Sequence, residues 1–239
     1  MKELIRHQST MKTMFNRYHH YLLTGICTLF MVASMTLTGC DTTDSNPSSV
    51  TKTTEDVFGQ SLDGQVVSAD GATLVRSADN LWVELRMPVP EPGSYQYPTS
   101  GVAIGGEGYP EVFTLWAFIF NSPEDCESEN PDLRCDLSDF MTGNGDAGVF
   151  ALDGVVADGS QMTLSGRITR DTEVYEAPPV PAIREGNPDF QNLSLQFPQD
   201  ADVHLAIAPH GQVDESKLPE MLETATGPPV KVWWLAIFE

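Results

Sequence analysis

Two histidines, a run of carboxylates and a close pair of cysteines are the residues of this 239-residue chain whose types invite chemistry. His204 and His210 lie in "ADVHLAIAPHG" (201–211). The stretch from Asn121 to Ala147 holds Glu124, Asp125, Glu127, Glu129, Asp132, Asp136, Asp139 and Asp146, together with Cys126 and Cys135. Imidazole nitrogens and carboxylate oxygens are metal ligands, and oxygen-rich loops outside the cell take calcium at millimolar affinity. The metal-ligating set these residues offer is His204, His210, Asp136 and Asp139. Their spacing fits neither a standard zinc motif nor the regular calcium loop. A hydrogen-bonded role for the histidines and a solvated acidic loop are therefore the favoured readings. No cofactor is expected, calcium being the ion that the acidic loop would take. His204 is expected opposite Val203 and Leu205 on a strand, and His210 in a loop beyond Pro209.

No Gly-x-Ser-x-Gly elbow, His-Glu-x-x-His, P-loop or dinucleotide fingerprint occurs, so no catalytic residue is assigned. A hydrolase would have to gather serine, histidine and aspartate from scattered positions. Trp82 shares a strand face with Glu84 and Arg86. Exposed there it would stack on a sugar or a partner protein, whereas packing against an arginine or under a loop is the plainer reading.

Cys40 stands apart from these. Lys2, Arg6, Lys12 and Arg17 make a basic start, an apolar run follows from Tyr21 to Leu37, and Leu37-Thr38-Gly39-Cys40 closes it. This is the layout of a secretory leader. The ending resembles the Leu-small-small-Cys box of the bacterial lipoprotein signal. The resemblance implies that residues 1–39 are cut away, that the Cys40 thiol takes a diacylglyceryl group and that the new amine is acylated, with palmitate as a typical chain. Two or more acyl chains hold a protein to a membrane stably. Cys40 is thus expected to tether the chain to a membrane of the cell envelope, the domain lying outside the cytoplasm. Asp41 resembles the inner-membrane retention signal of enteric bacteria, and inner and outer membrane both stay open. Residues 40–54 read as a lipidated cysteine and flexible tether, and 55–239 as the working domain. Cys126 and Cys135 are then the remaining pair, and export favours a disulfide between them.

Without the leader, nine basic residues face 33 acidic ones, a net charge of −24. Nucleic acid, whose phosphates want Lys and Arg, is excluded as a partner. The charge reads as a solvated, self-repelling surface, with cation binding as the sharper alternative.

The elements that must position these residues are strands. Leu81, Val83, Leu85 and Met87 alternate with polar neighbours, as do Met162, Leu164 and Ile168, and as do Val203, Leu205 and Ile207 with His204. "VFTLWAFIF" (112–120) and "VKVWWLAIF" (230–238) are apolar on both parities, which predicts central strands covered on both faces. Asp70-Gly71 and Asp158-Gly159 predict hairpin turns. They sit in two similar windows, 62–74 and 152–164, that a duplication or convergent turn chemistry would explain. Leu218, Met221, Leu222 and Ala225 predict a helix starting near Lys217 and stopping at Gly227. Many strands and one late helix predict an all-β antiparallel sandwich, Ig-like or CHRD-like.

The block "FTLWAFIFNSPEDC…C" (113–135) with "ADVHLAIAPHG" is similar to a group of secreted bacterial proteins without established activity. The order of histidine strand, Leu-rich helix and terminal strand resembles the CHRD domain, an extracellular β-sandwich. This chain lacks that domain's His-x-His pair. Together these readings lead to a lipid-anchored binding module without catalysis that meets a protein or glycan, with Trp82 on its partner-binding face. A metal- or calcium-binding envelope domain and a hydrolase with a scattered site are the alternatives.

Overall fold

The computed structural model describes residues 50–59, 64–91, 110–177, 180–223 and 234–239. The expectations for the leader, for Cys40 and for the tether as far as Ser49 lie outside these residues, as do Ala225 and Gly227. Eight strands lie among the described residues: β1 (Thr51–Gly59), β2 (Gln65–Arg76), β3 (Asn80–Pro88), β4 (Glu111–Phe120), β5 (Ala147–Ala157), β6 (Gln161–Thr169), β7 (Asp202–Gln212) and β8 (Trp234–Phe238). Three short helices accompany them: α1 (Leu137–Thr142), α2 (Val180–Gly186) and α3 (Leu218–Glu223).

The all-β expectation holds, but the strands make one continuous sheet where a sandwich would have two. Its order is β5-β4-β7-β8-β1-β2-β3-β6, with every neighbouring pair antiparallel. The two end strands, β5 and β6, are joined through Asp158-Gly159 and lie against each other. Asp153 Oδ2 accepts the Ser165 N–H at 2.9 Å across that seam. Gly166 faces Leu152 there, and a Cβ on it would lie 2.8 Å from the leucine Cβ. A side chain would hold the edges apart, so glycine at this position lets the sheet curl into a barrel-like form.

Curling needs extra twist, and bulges supply it. Asp70-Gly71, expected as a hairpin turn, is instead such a bulge inside the twelve-residue strand β2. The Asp70 φ of 50° is spent on kinking the strand, the Asp70 N–H donating to Asp56 Oδ1 at 2.8 Å. The similar windows 62–74 and 152–164 are therefore not equivalent units, since the second spans the β5–β6 turn. Thr51–Thr54, expected within the tether, belong to β1 and pair with β2. Their polarity hides them in composition, while β-branched threonine suits an extended strand.

β3 and β6 alternate as expected, with Leu81, Val83, Leu85, Met87, Met162, Leu164 and Ile168 buried inside. The interior is filled with these side chains and with Phe113, Leu115, Ile119, Phe150, Leu205, Ile207 and Trp234. β4 is covered on both faces, as its sequence predicts. In β8, Trp234, Ala236 and Phe238 face inward and Leu235 packs outward, half-buried. β7 departs from expectation: it is buried on both faces and continues through Pro209 to Gln212. A register shift opposite Val112 and Phe113 accommodates the proline.

A second apolar layer covers the outside of β4, β5 and β7. Trp116, Phe120 and Val149 from the sheet meet Phe140 of α1, Val180 and Ile183 of α2, and Phe190. The free edge of β5 is closed by chain crossing over it: Leu193 N–H donates to Ala147 O at 2.9 Å, and Tyr175 N–H to Val149 O at 2.8 Å. Such cover removes an edge that would otherwise pair with another chain.

This crossing generates a prediction. A Cβ on Gly148 would lie 1.9 Å from Leu193 O, whereas Gly159 meets nothing nearer than 3.9 Å. Gly148→Ala should lower unfolding stability in urea by about 1–3 kcal/mol, as overpacking does, and Gly159→Ala should change it little. Equal stability of the two variants would show that the crossing chain yields freely.

Candidate functional site

The acidic stretch is organised by its own carboxylates. Cys126 and Cys135 form a disulfide with their Cα atoms 5.3 Å apart. Closing so short a loop stabilises by about 2–3 kcal/mol in the chain-entropy account. Just beyond it, Asp136 and Asp139 form a reciprocal capping box at the start of α1. Asp136 Oδ1 accepts from Ser138 N–H (2.7 Å) and Ser138 O–H (2.5 Å), and Oδ2 from Ser128 O–H (3.0 Å) and Glu129 N–H (2.9 Å). Asp139 Oδ1 accepts from Glu127 N–H at 2.6 Å, and its Oδ2 from Asp136 N–H at 2.9 Å. Burial works against the Asp136 charge, yet hydrogen bonds from Ser138, Ser128 and the Asp139 amide hold its carboxyl below the usual range. The lone pairs a cation would need are given to backbone amides.

The two histidines share a strand but not a site. Six residues at about 3.3 Å each separate them by roughly 20 Å along β7. His204 lies edge-on to Phe120, ring centroids 5.1 Å apart, beneath the outer layer. Burial pushes its pKa down to about 4 against the pull of Asp136, so it is neutral at ordinary pH. His210 is in β7 rather than in the expected loop, and its Nε2 is 2.6 Å from Thr114 Oγ1. That oxygen also accepts the Trp116 indole N–H at 2.6 Å. Thr114 is 1% and His210 3% exposed, so no substrate reaches this hydroxyl–histidine pair. His204, His210, Asp136 and Asp139 therefore do not converge, and no group of three or more metal-ligating side chains gathers among the described residues.

Charged groups that pattern-reading passed over collect where β1 and β7 begin. Arg76, at the end of β2, turns into the barrel-like interior and donates through Nη1 to Ala201 O (2.6 Å) and Pro198 O (3.2 Å). Arg134, next to the disulfide, meets buried Asp202 at 3.3 Å, and its N–H donates to Glu239 Oε1 at 2.7 Å. Glu124 and Asp200 join them around a shallow hollow. Burial outweighs Arg134 and raises Asp202 to about 6. Both arginines are occupied in holding chain segments together. Glu111, at the opposite end, shares the inward face of β4 with Phe113 and is 2% exposed. Neither of its oxygens has a hydrogen-bond partner among the described residues, and burial raises it to about 7.

The remaining surface is the outside of β1, β2, β3 and β6, which the second layer leaves open. Directly opposed residues share a face. The register runs Lys52–Val75–Trp82–Arg167 across the four strands, with Thr54–Thr73–Glu84–Ser165 and Arg86–Thr163 in the rows beyond. Trp82 is half-buried, while Lys52, Arg86 and Arg167 are exposed. Arg86 donates to Thr163 Oγ1 at 3.3 Å and meets Glu84 at 3.5 Å. The expected grouping of Trp82 with Glu84 and Arg86 is thus present. Lys52 and Arg167 join it only through the register of strands distant in sequence.

Buried Glu111 yields a pH prediction. Its folded pKa of about 7 lies above its ordinary 4.5. Between those values the folded state binds a proton that the unfolded state does not, so stability falls as pH rises through 7. Asp202 acts alike from about 6 downward. His204 acts oppositely, costing stability as pH falls from 6.5 to about 4. Glu111→Gln should raise stability at pH 8 by about 1–3 kcal/mol and flatten the slope between pH 6 and 8. An unchanged slope in urea unfolding across that range would contradict it.

Comparison with known proteins finds no matching family model, curated protein or solved structure. The functional reading accordingly rests on the geometry of the chain itself.

Proposed function

We propose that this protein is a lipid-anchored, extracytoplasmic binding module without catalytic chemistry, and that it takes an anionic glycan of the cell envelope on its open face. The observation that carries this reading is the row Lys52–Val75–Trp82–Arg167 with Arg86 beside it. An indole face stacks on a sugar ring, and the cations around it neutralise carboxylate or phosphate groups on the polymer. Without its leader the chain has a net charge of −24 and broadly repels a polyanion. Lys52, Arg86 and Arg167 gather at this face around Trp82, with Glu84 among them and Asp56 and Asp70 beyond Thr54. The filled interior favours a module that binds on its surface over a container for a ligand. Leu37–Cys40 supports the anchor, and the Cys126–Cys135 disulfide fits an oxidising compartment. The metal reading loses support because Asp136 and Asp139 are spent on backbone amides. The hydrolase reading loses it because Thr114 and His210 are buried.

Two measurements check this. Cys40→Ser should abolish acyl mass and partitioning into detergent, and a serine variant that keeps its lipid would remove the anchor. Trp82→Ala combined with Arg167→Glu should weaken retention on acidic envelope polysaccharide by roughly tenfold, equivalent to about 1.4 kcal/mol of lost contact. Arg167 is exposed, so Arg167→Glu alone should barely move thermal unfolding while still weakening retention, whereas loss of the half-buried Trp82 also lowers stability. Retention that is unaffected by the double variant, or by raising salt from low to physiological strength, would refute recognition by this face.

A further inference from the structure

Thr51 is the first residue of β1 and pairs with Arg76, the last of β2. The chain therefore enters the domain at the end where β7 begins and β8 finishes. Between Cys40 and β1 lie only the ten residues 41–50. Fully extended they reach about 35 Å, and as a flexible coil typically about 17 Å. On the lipid-anchor reading, this end of the domain stays within a short distance of the bilayer.

That end carries an exposed aromatic on a held segment. Among the described residues Phe197 is 47% exposed and Val50 67%. Phe197 sits between carbonyls that two arginines fix: Arg170 donates to Gln196 O, and Arg76 to Pro198 O and Ala201 O. The backbone turns back on itself there, Asp200 and Ala201 N–H both donating to Phe197 O at 3.1 and 2.9 Å. A phenylalanine presented on a fixed loop loses little further freedom on binding.

We infer that this end of the domain rests on the anchoring bilayer, with Phe197 set into the headgroup region and Val50 beside it. The inference rests on the Cys40 anchor. A single aromatic gives weak membrane affinity, but the tether makes the contact intramolecular, with an effective concentration in the millimolar range for a short linker. Weak affinity then suffices to fix orientation. Charge does not drive the contact, because the acidic domain is repelled by anionic lipid. The Lys52–Val75–Trp82–Arg167 row is next to the Thr51–Arg76 pair, so the proposed glycan face begins at the membrane-proximal rim and extends outward through Glu84 and Arg86.

The test uses the full, lipidated chain in vesicles of phosphatidylcholine and phosphatidylethanolamine. Phe197→Cys and, separately, Val66→Cys are labelled with an environment-sensitive fluorophore. Val66 is an equally exposed apolar residue, 47%, in the β1–β2 hairpin at the far end. Nitroxide-bearing lipid should quench the label at 197 severalfold more than the label at 66, and its emission should shift to the blue. Equal quenching at both positions, with the label at 197 open to aqueous iodide, overturns the inference while the anchor stands. Flotation of each sample with the vesicles reads the anchor separately. A chain that carries no acyl group and does not float overturns the anchor, and this orientation with it.

Discussion

Strands β4 and β7 bear apolar side chains on both faces, and everything else in the domain answers to that. Two-sided strands need cover on two sides. The sheet meets half of the demand by curling until β5 and β6 touch, which places Phe113, Leu115 and Ile119 opposite Leu74, Leu85 and Leu164 in a single interior. The other half falls to segments that are not strands at all. The disulfide-closed loop, α1, α2 and the chain through Phe190 lay a second apolar layer over Trp116, Phe120 and Val149. None of these helices exceeds seven residues. Helices so short are held by what they cover and by their caps rather than by propensity.

The asymmetry of that cover makes the functional surface. Outside β4, β5 and β7 the sheet is dry; outside β1, β2, β3 and β6 it is polar and open. Carboxylates in the covered half are used as acceptors for backbone N–H groups, Asp136 above all. An acidic loop thereby becomes a scaffold. The cations of the open half are mostly uncommitted to structure, unlike Arg76 and Arg134, whose bonds hold chain ends together.

Burial of ionisable groups tunes the same architecture. Glu111, Asp202 and His204 are each held where their charged form is poorly solvated, and each shifts towards neutrality. The two carboxyls and the imidazole pull stability in opposite directions over the same mildly acidic range, so their effects partly offset there.

Much was legible in the sequence because it depends on nearest neighbours along the chain. The alternation in residues 81–87 and 162–168, the two-sided run 112–120, the pairing of Cys126 with Cys135 and the helix from Leu218 follow from period, spacing and capping chemistry. Local rules failed where one motif serves two geometries. Asp70-Gly71 permits a positive φ, and whether that makes a turn or a bulge depends on which strand lies alongside. Pro209 interrupts a strand only if no bulge absorbs it. The single curled sheet, the second layer and the row Lys52–Val75–Trp82–Arg167 join residues up to 177 positions apart, as Phe58 pairs with Leu235. Residue type sets what each side chain prefers to touch. Strand register and sheet closure, settled by burying both faces of β4 and β7 together, decided which side chains meet.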